Sequence, residues 1–309
     1  MSKKKILVVG SANMDLVATV KEFPRPGETL FGTSFGMFPG GKGANQAVCC
    51  AKLGAAIYFV GRIGTDVLGE RLVASMRSDG VRLDHLVRDE HVSTGIALIA
   101  VNRTGQNEIV VVSGSNMRLS PADINSRRDL FATVGVLLVQ LESPLETVRR
   151  TVVLAKAFGA KTILNPAPAR RLPGSLLKLV DYVTPNEIEA EILTGVKVRD
   201  IASAEKAAKI LLEAGVQNVL MTLGKKGSLL MTRERTSVFP ALRVKAVDTT
   251  AAGDAFNGAL AVSIAEGKSI DEAVPFATKV AAISVTSMGA QRSMPSRKEV
   301  ATFDSSRGQ

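Results

Sequence analysis

Seven residues late in the chain, Asp248-Thr249-Thr250-Ala251-Ala252-Gly253-Asp254, combine two carboxylates with a turn of small residues. The apolar stretch Val244 to Val247 runs into Asp248, and the helical pattern Ala255-Phe256-Asn257-Gly258-Ala259-Leu260 follows Asp254. The backbone N–H groups of Ala251, Ala252, Gly253 and Asp254 then open a helix without intrahelical acceptors, which makes a site for an anion. A carboxylate beside a bound phosphate is repelled unless it takes a proton from a hydroxyl that attacks that phosphate. The pattern predicts a kinase for a small alcohol, with Asp254 as its general base.

Other residues supply a pocket for such an alcohol. In Gly40-Gly41-Lys42-Gly43-Ala44-Asn45-Gln46-Ala47, glycines surround a lysine just before a helical pattern. Glycine lets the backbone approach a ligand closely, and Lys42 and Asn45 offer donors to hydroxyl oxygens. A glycine-rich helix start that merely turns the chain is the plainer alternative, and the spacing is not that of a Walker loop. Asn13 and Asp15 lie just past the first apolar run, and Glu142 follows Val139-Gln140-Leu141. Ligands bind at such strand ends in open α/β sheets; a turn-forming pair and a helix-start acid are the competing explanations.

Asn186-Glu187-Ile188-Glu189 begins a helix, where its amide and acids suit either a hydrated Mg²⁺ or simple capping. Thr222-Leu223-Gly224-Lys225-Lys226-Gly227 joins two apolar strands, as a hairpin turn or as a loop around a nucleotide. Ser284, Ser287, Gly289 and Ser293 offer hydroxyls and carbonyls to a hard cation beside Asp248; without that acid they read as an ordinary loop.

These residues need a scaffold, and its rhythm is legible. Continuous apolar runs at Ile6 to Gly10, Ala56 to Val60, Gly135 to Val139, Lys161 to Leu164, Tyr182-Val183 and Asn218 to Thr222 read as buried strands. Helical patterns at Ala44 to Leu53, Gly69 to Ser78, Leu145 to Ala157, Glu187 to Leu193 and Ala204 to Glu213 alternate with most of them. Such alternation means an α/β fold with helices on both faces of a mainly parallel sheet. Two excursions break it: Asp15 to Phe38, and the pair Gly95 to Val101 and Asn107 to Val112 joined by Asn102-Arg103-Thr104-Gly105. Together they form either a small β-sheet over a cleft or edge strands of the main sheet.

A length of 309 residues with 46% apolar and 22% charged content fits a globular protein with a sizeable core. The net charge is 39 − 29 = +10, but the basic residues are scattered beyond Lys3-Lys4-Lys5. With no Trp and two Tyr, stacking on nucleic acid has little support; a basic surface serving anionic substrates is the preferred reading. Cys49 and Cys50 are adjacent, which disfavours a bridge and points to a reducing, cytoplasmic compartment. No apolar run reaches a membrane-spanning length, and Arg307-Gly308-Gln309 carries no recognised targeting signal.

Taken in order, Asn13/Asp15, Gly40 to Asn45, Leu141-Glu142-Ser143-Pro144, Asn165-Pro166-Ala167-Pro168-Ala169, Thr184-Pro185-Asn186-Glu187, Thr222-Leu223-Gly224 and Asp248 to Asp254 resemble the ribokinase-like, or phosphofructokinase-B, carbohydrate kinase family. The resemblance spans essentially the whole chain. It implies one kinase domain over 1–309, a three-layer α/β/α sandwich with a small β lid from about 15–38 and 93–113, and dimerisation through that lid. The implied reaction is ATP-dependent phosphorylation of D-ribose at O5, giving D-ribose 5-phosphate and ADP, with Mg²⁺ and activation by K⁺. The resemblance makes Asp254 the base, with Ala251, Ala252 and Gly253 in the anion hole, and Asn13, Asp15, Gly41, Lys42, Gly43, Asn45, Glu142 and Asp254 the sugar site. It assigns the nucleotide to Asn186, Thr222, Leu223, Gly224, Lys225, Lys226, Gly227, Gly253 and Thr278. Asp248, Thr250, Ser284, Ser287, Gly289 and Ser293 match the K⁺ loop, and Glu189 is the candidate for water-mediated Mg²⁺. Two positions depart from the family pattern: Thr278, where His or Asn is frequent, and Ala251, where Gly is common. A kinase for deoxyribose, fructose, a nucleoside or a keto-deoxy sugar, a non-catalytic sugar or nucleotide regulator, and a nucleic-acid binder are the alternatives.

Overall fold

Strand β1 (Lys5–Val9) is buried on both faces. Ile6 and Val8 enter one apolar cluster, and Leu7 and Val9 enter another. A strand buried on both sides needs helices above and below it, which is why it reads as an unbroken apolar run. The structure, a computed structural model, describes residues 5–304. Lys3, Lys4 and the Arg307-Gly308-Gln309 tail lie outside the described residues.

In chain order the further strands are β2 (Asn13–Thr19), β3 (Ser34–Gly40), β4 (Ile57–Val60), β5 (Arg62–Gly64), β6 (Val87–Asp89) and β7 (Gly95–Val101). They continue with β8 (Asn107–Val112), β9 (Val134–Val139), β10 (Lys161–Leu164), β11 (Tyr182–Val183), β12 (Asn218–Thr222), β13 (Ser228–Met231) and β14 (Thr236–Phe239). The helices begin with α1 (Lys42–Lys52), α2 (Val67–Ser78), α3 (Pro121–Asn125), α4 (Leu145–Ala157) and α5 (Gly174–Leu177). After them come α6 (Glu187–Thr194), α7 (Ile201–Glu213), α8 (Ala252–Ala265), α9 (Ile270–Ser284) and α10 (Arg297–Thr302).

The main sheet has the order β14-β13-β12-β11-β10-β9-β1-β4. From β12 to β4 every pairing is parallel; β13 and β14 add antiparallel strands at one edge. On one face Ala44, Ala47 and Val48 of α1 pack with Ala255, Ala259 and Leu260 of α8 and Val280 of α9. On the other, Val148 and Val152 of α4 pack with Ala204, Ala208 and Leu211 of α7. The result is a three-layer α/β/α sandwich. Helices α1 and α8 approach so closely that a Cβ on Gly258 would come within 2.7 Å of Cys49 Cβ. Cys49 and Cys50 are both free thiols, and burial pushes the Cys49 thiol up to about 12.

The two excursions form one separate sheet of order β3-β2-β7-β8. Its strands leave the core just after β1 and return through Gly40 into α1, so the lid connections border the strand ends. Asn13 and Asp15 accordingly lie within β2 rather than in a turn. The stretch Val244 to Val247 is not a strand; the Val247 and Asp248 N–H groups instead both reach Val285 O, at 2.7 and 3.2 Å. With Lys245, Ala246 and Val247 exposed, this stretch has no sheet to join. Among the described residues, no helix is long and apolar enough to cross a membrane.

Candidate active site

Helix α8 starts from a strained residue. Ala251, its N-cap, has φ 60° and ψ 15°, the left-handed region, and is the one non-glycine with positive φ among the described residues. An L-residue pays about 1–2 kcal/mol for that conformation. The Ala252 N–H turns back to Thr249 O at 3.3 Å, so it belongs to the turn rather than to a free anion hole. The N–H groups of Ala251, Gly253 and Asp254 have no hydrogen-bond partner among the described residues. Three donors at a helix N-terminus remain available to an anion.

Asp254 lies in the first turn of α8 and is 6% exposed. Asn45 Nδ2 donates to its Oδ2 at 2.9 Å, and Gln46 Nε2 donates to its Oδ1 at 2.8 Å. Burial pushes its carboxyl above the ordinary range, while the Lys42 ammonium and the two amides pull it back. Lys42 itself is pulled down by burial, but the carboxylates of Asp254, Glu142 and Glu189 more than compensate and hold it as a cation. Glu142 accepts from Ser11 Oγ and from the Lys42 N–H at 3.1 Å, and lies 3.7 Å from Lys42 Nζ. Asp15 is raised to about 6, by burial first and by the Glu142 charge second.

Glycines make room for these acids. A Cβ on Gly40 would lie 2.4 Å from Asp15 Oδ2. Gly41 has φ +86°, and a Cβ there would strike Asn13 N at 2.7 Å. Opposite Asp15 across the lid stand Ala97 and then Val111, on the same sheet face. Val111 lines a cavity of about 530 Å³ together with Lys42, Ser113, Met117, Leu141, Glu142, Ala167, Pro168 and Glu189. The small sheet therefore contributes Val111 to one wall of a largely apolar cavity that carries three charged groups, Lys42, Glu142 and Glu189.

The remaining expected residues divide. Asn186 caps α6 and forms a reciprocal capping box with Glu189, so one Glu189 oxygen is engaged by the Asn186 N–H at 2.9 Å. The bridge between Asn186 and Thr222 brings α6 beside the Thr222 to Gly227 loop. Within that loop Lys226 pairs with Glu187 at 3.2 Å and with Arg199 O, whereas Lys225 is exposed with no ion pair among the described residues. Thr278 is half-buried midway along α9, and no side-chain hydrogen bond joins it to the turn. Asp248 accepts from the Thr250 N–H and the Gly289 N–H, each at 2.9 Å. Partial burial raises its carboxyl, but hydrogen bonds from Thr250 and Gly289 outweigh that and hold it below the usual range. The buried Ser284 and Ser293 hydroxyls donate to Ala281 O and Ala290 O, which leaves their oxygens as acceptors. Ser287 is exposed.

Residue types alone did not reveal two polar residues. Gln46 bonds Asp254 directly, across 208 positions of sequence. Asn116 Nδ2 donates to Asn13 Oδ1 at 2.7 Å while its Oδ1 accepts from the Ala12 N–H at 3.0 Å, pinning the lid's entry to its exit. Nothing near Asn116 in sequence marks it.

Residues 3–297 match the model of the pfkB family of carbohydrate kinases. The chain belongs to that family. It is 44% identical over 301 residues to a ribokinase of Haemophilus influenzae, covering 97% of this chain and 98% of that one. It is 38% identical over 292 residues to a deoxyribokinase of Salmonella typhi, covering 94% and 95%. The structure of an Arabidopsis thaliana ribokinase complexed with ribose and ATP superposes with a TM-score of 0.93 at 34% identity, over 97% of this chain and 99% of the other. The chain is thus a carbohydrate kinase, and its chemistry is sugar phosphorylation of the ribokinase type.

Proposed function

We propose that this protein transfers the γ-phosphoryl group of ATP to O5 of D-ribose, giving D-ribose 5-phosphate and ADP, with Asp254 as general base. The observation that carries this reading is the buried Asp254 carboxylate, in a first helical turn with three free N–H groups and under the charges of Lys42 and Glu142, which line the cavity. Asp254 takes the proton of the O5 hydroxyl as that oxygen bonds to phosphorus. The bond from phosphorus to the leaving ADP oxygen breaks, and the N–H groups of Ala251, Gly253 and Asp254 hold charge developing on the phosphoryl oxygens. Asn13, Asp15, Lys42, Asn45 and Glu142 orient the sugar, with the backbone of Gly41 and Gly43 bordering it. A closed lid excludes water as a competing nucleophile.

Asn186, the Thr222 to Gly227 loop, Gly253 and Thr278 are proposed for the nucleotide, with Lys225 the free ammonium. Glu142 and Glu189 outnumber Lys42 in the cavity lining, so a polyphosphate needs a counter-cation there. No group of three or more His, Cys, Asp or Glu side chains among the described residues holds a metal. A Mg²⁺ would be carried by the phosphates and water, with Glu189 reaching it through water, and would neutralise phosphate charge. Asp248, Thr250, Ser284, Ser287, Gly289 and Ser293 form a hard oxygen donor set suited to K⁺, which would order the turn from outside the sugar pocket. Exposed Ile109, Val110, Val111 and Val112 on the edge strand β8 are proposed to dimerise the lid; sedimentation would report the state.

Similarity to a deoxyribokinase makes 2-deoxyribose the second substrate reading. Phosphate transfer from ATP to a sugar panel, in K⁺ and in Na⁺ buffer, tests both substrate and cation. Fastest kcat/KM with ribose in K⁺ is expected. Preference for another sugar overturns the substrate, and indifference to the cation overturns the K⁺ site.

A further inference from the structure

The carboxylate of Asp254 is gripped by a residue that has nothing left to offer a sugar. Gln46 is fully buried. Its Nε2 donates to Asp254 Oδ1 at 2.8 Å and to Asn165 Oδ1 at 3.1 Å, which uses both amide hydrogens. Its Oε1 accepts from Gln140 Nε2. Turning the amide over would set an acceptor against the carboxylate and against Asn165, and a donor against Gln140. Gln140 follows β9 and Asn165 follows β10, and these are adjacent parallel strands. The main sheet therefore dictates which way Gln46 points.

The other oxygen is held differently. Asn45 Nδ2 donates to Asp254 Oδ2 at 2.9 Å, and Gln291 Nε2 orients Asn45 by donating to its Oδ1 at 3.2 Å. Asn45 lies among the residues assigned to the sugar, so its contact with Asp254 is exchangeable, whereas that of Gln46 is not.

We propose that Gln46, locked by Gln140 and Asn165, is the positioning residue of the catalytic carboxylate: it keeps Oδ1 through turnover and leaves Oδ2 to receive the proton. The inference rests on Asp254 being the base. The charged or titratable groups bearing on Asp254 are Lys42 and Cys49 from α1, Glu142 after β9 and Glu189 from α6. Lys42 favours the ionised base and the two acids oppose it. The Cys49 thiol, at about 12, stays neutral. Removing the Gln46 donor thus leaves burial less opposed and raises the base further.

The test is kcat against pH, at saturating sugar and nucleotide, for Gln46→Met and Gln140→Met beside Asp254→Asn. Gln46→Met is expected to move the acid limb up by about one to two pH units, the worth of one hydrogen bond to a charged group. Its kcat at neutral pH is expected to fall about tenfold to a hundredfold, with sugar KM held within about threefold. Gln140→Met touches Asp254 only through Gln46, so a smaller shift in the same direction is expected, and it serves if Gln46→Met folds poorly. A lowered melting temperature with an unmoved pH profile in the folded variants makes Gln46 a packing residue and overturns the proposal. Near-normal turnover in Asp254→Asn instead overturns the base itself, which separates the two failures.

Discussion

Replacing Gly253 by alanine separates stability from catalysis at the phosphoryl turn. Gly253 is the second residue of α8, its φ lies outside the left-handed region, and a Cβ built there meets nothing within 4 Å. Alanine is the better helix former by about 1 kcal/mol in a helix interior, with less expected in the first turn. That preference is largely the smaller backbone entropy alanine loses on folding, about 0.4–1 kcal/mol at a compatible site. A net gain of about 0.5 kcal/mol is expected, or about 1 °C in Tm for a chain of this size. The same methyl is added in open space to a residue whose own N–H is one of the three free donors, with those of Ala251 and Asp254. An oxygen bonded to such an N–H sits about 2.9 Å from the nitrogen, while a methyl keeps its neighbours about 3.5–4 Å away. The phosphoryl group must shift by roughly 1 Å, for which about a hundredfold loss in turnover is reasonable. Thermal melting and coupled ADP release with varied ATP measure the two effects together. Wild-type turnover in the folded variant would refute the placement of the phosphoryl group, and a Tm loss of several degrees would refute the open site at Cβ.

Gly43→Ala is expected to do the opposite for stability. Its Cβ would meet Ser11 N at 2.7 Å and Gly10 C and Ser11 O at 2.8 Å, all unyielding backbone, so overpacking of about 1–3 kcal/mol outweighs helix propensity and lowers Tm. An unchanged Tm would count against the close approach of α1 to the end of β1. Ala251→Gly relieves left-handed strain of about 1–2 kcal/mol but adds unfolded-state freedom of about 0.5–1 kcal/mol, so a small rise in denaturant midpoint is expected with turnover kept; a fall would contradict the strain. Asp15, at about 6 against 3.8 unfolded, holds a proton in the folded state between those values. Its stabilising contribution is present on the acid side and lost as pH rises through about 6, so Asp15→Asn should be more stable than wild type at pH 7 and similar at pH 4. Sugar affinity runs the other way, weakening below pH 6 as Asp15 loses its charge; melting and calorimetry against pH check both signs.

Much of the scaffold was legible because its strands are buried on both faces. Lys161–Leu164, Tyr182–Val183 and Asn218–Thr222 are strands at the boundaries their apolar runs suggest. The hairpin Gly95–Val101 and Asn107–Val112 also stood apart, since its turn residues mark it. Val244 to Val247 is apolar yet joins no sheet, because apolarity alone does not supply a neighbouring strand. Asp254 could be singled out since a carboxylate at a helix N-terminus beside an anion hole needs a chemical reason. Gln46, Asn116 and Gln291 could not be. Their roles depend on hydrogen bonds to residues 208, 103 and 246 positions away in sequence, which no local pattern encodes. The engagement of Ala252 N–H with Thr249 O likewise depends on the left-handed turn at Ala251.

The central claim is that Asp254 takes the proton from the attacking hydroxyl. Its most direct test is turnover of Asp254→Asn with ATP and D-ribose in K⁺ and Mg²⁺, alongside ribose affinity by calorimetry on the same folded preparation. A loss of about 10²–10⁴ in kcat with ribose affinity within about threefold is the expected result. Turnover close to wild type in the folded variant would contradict it.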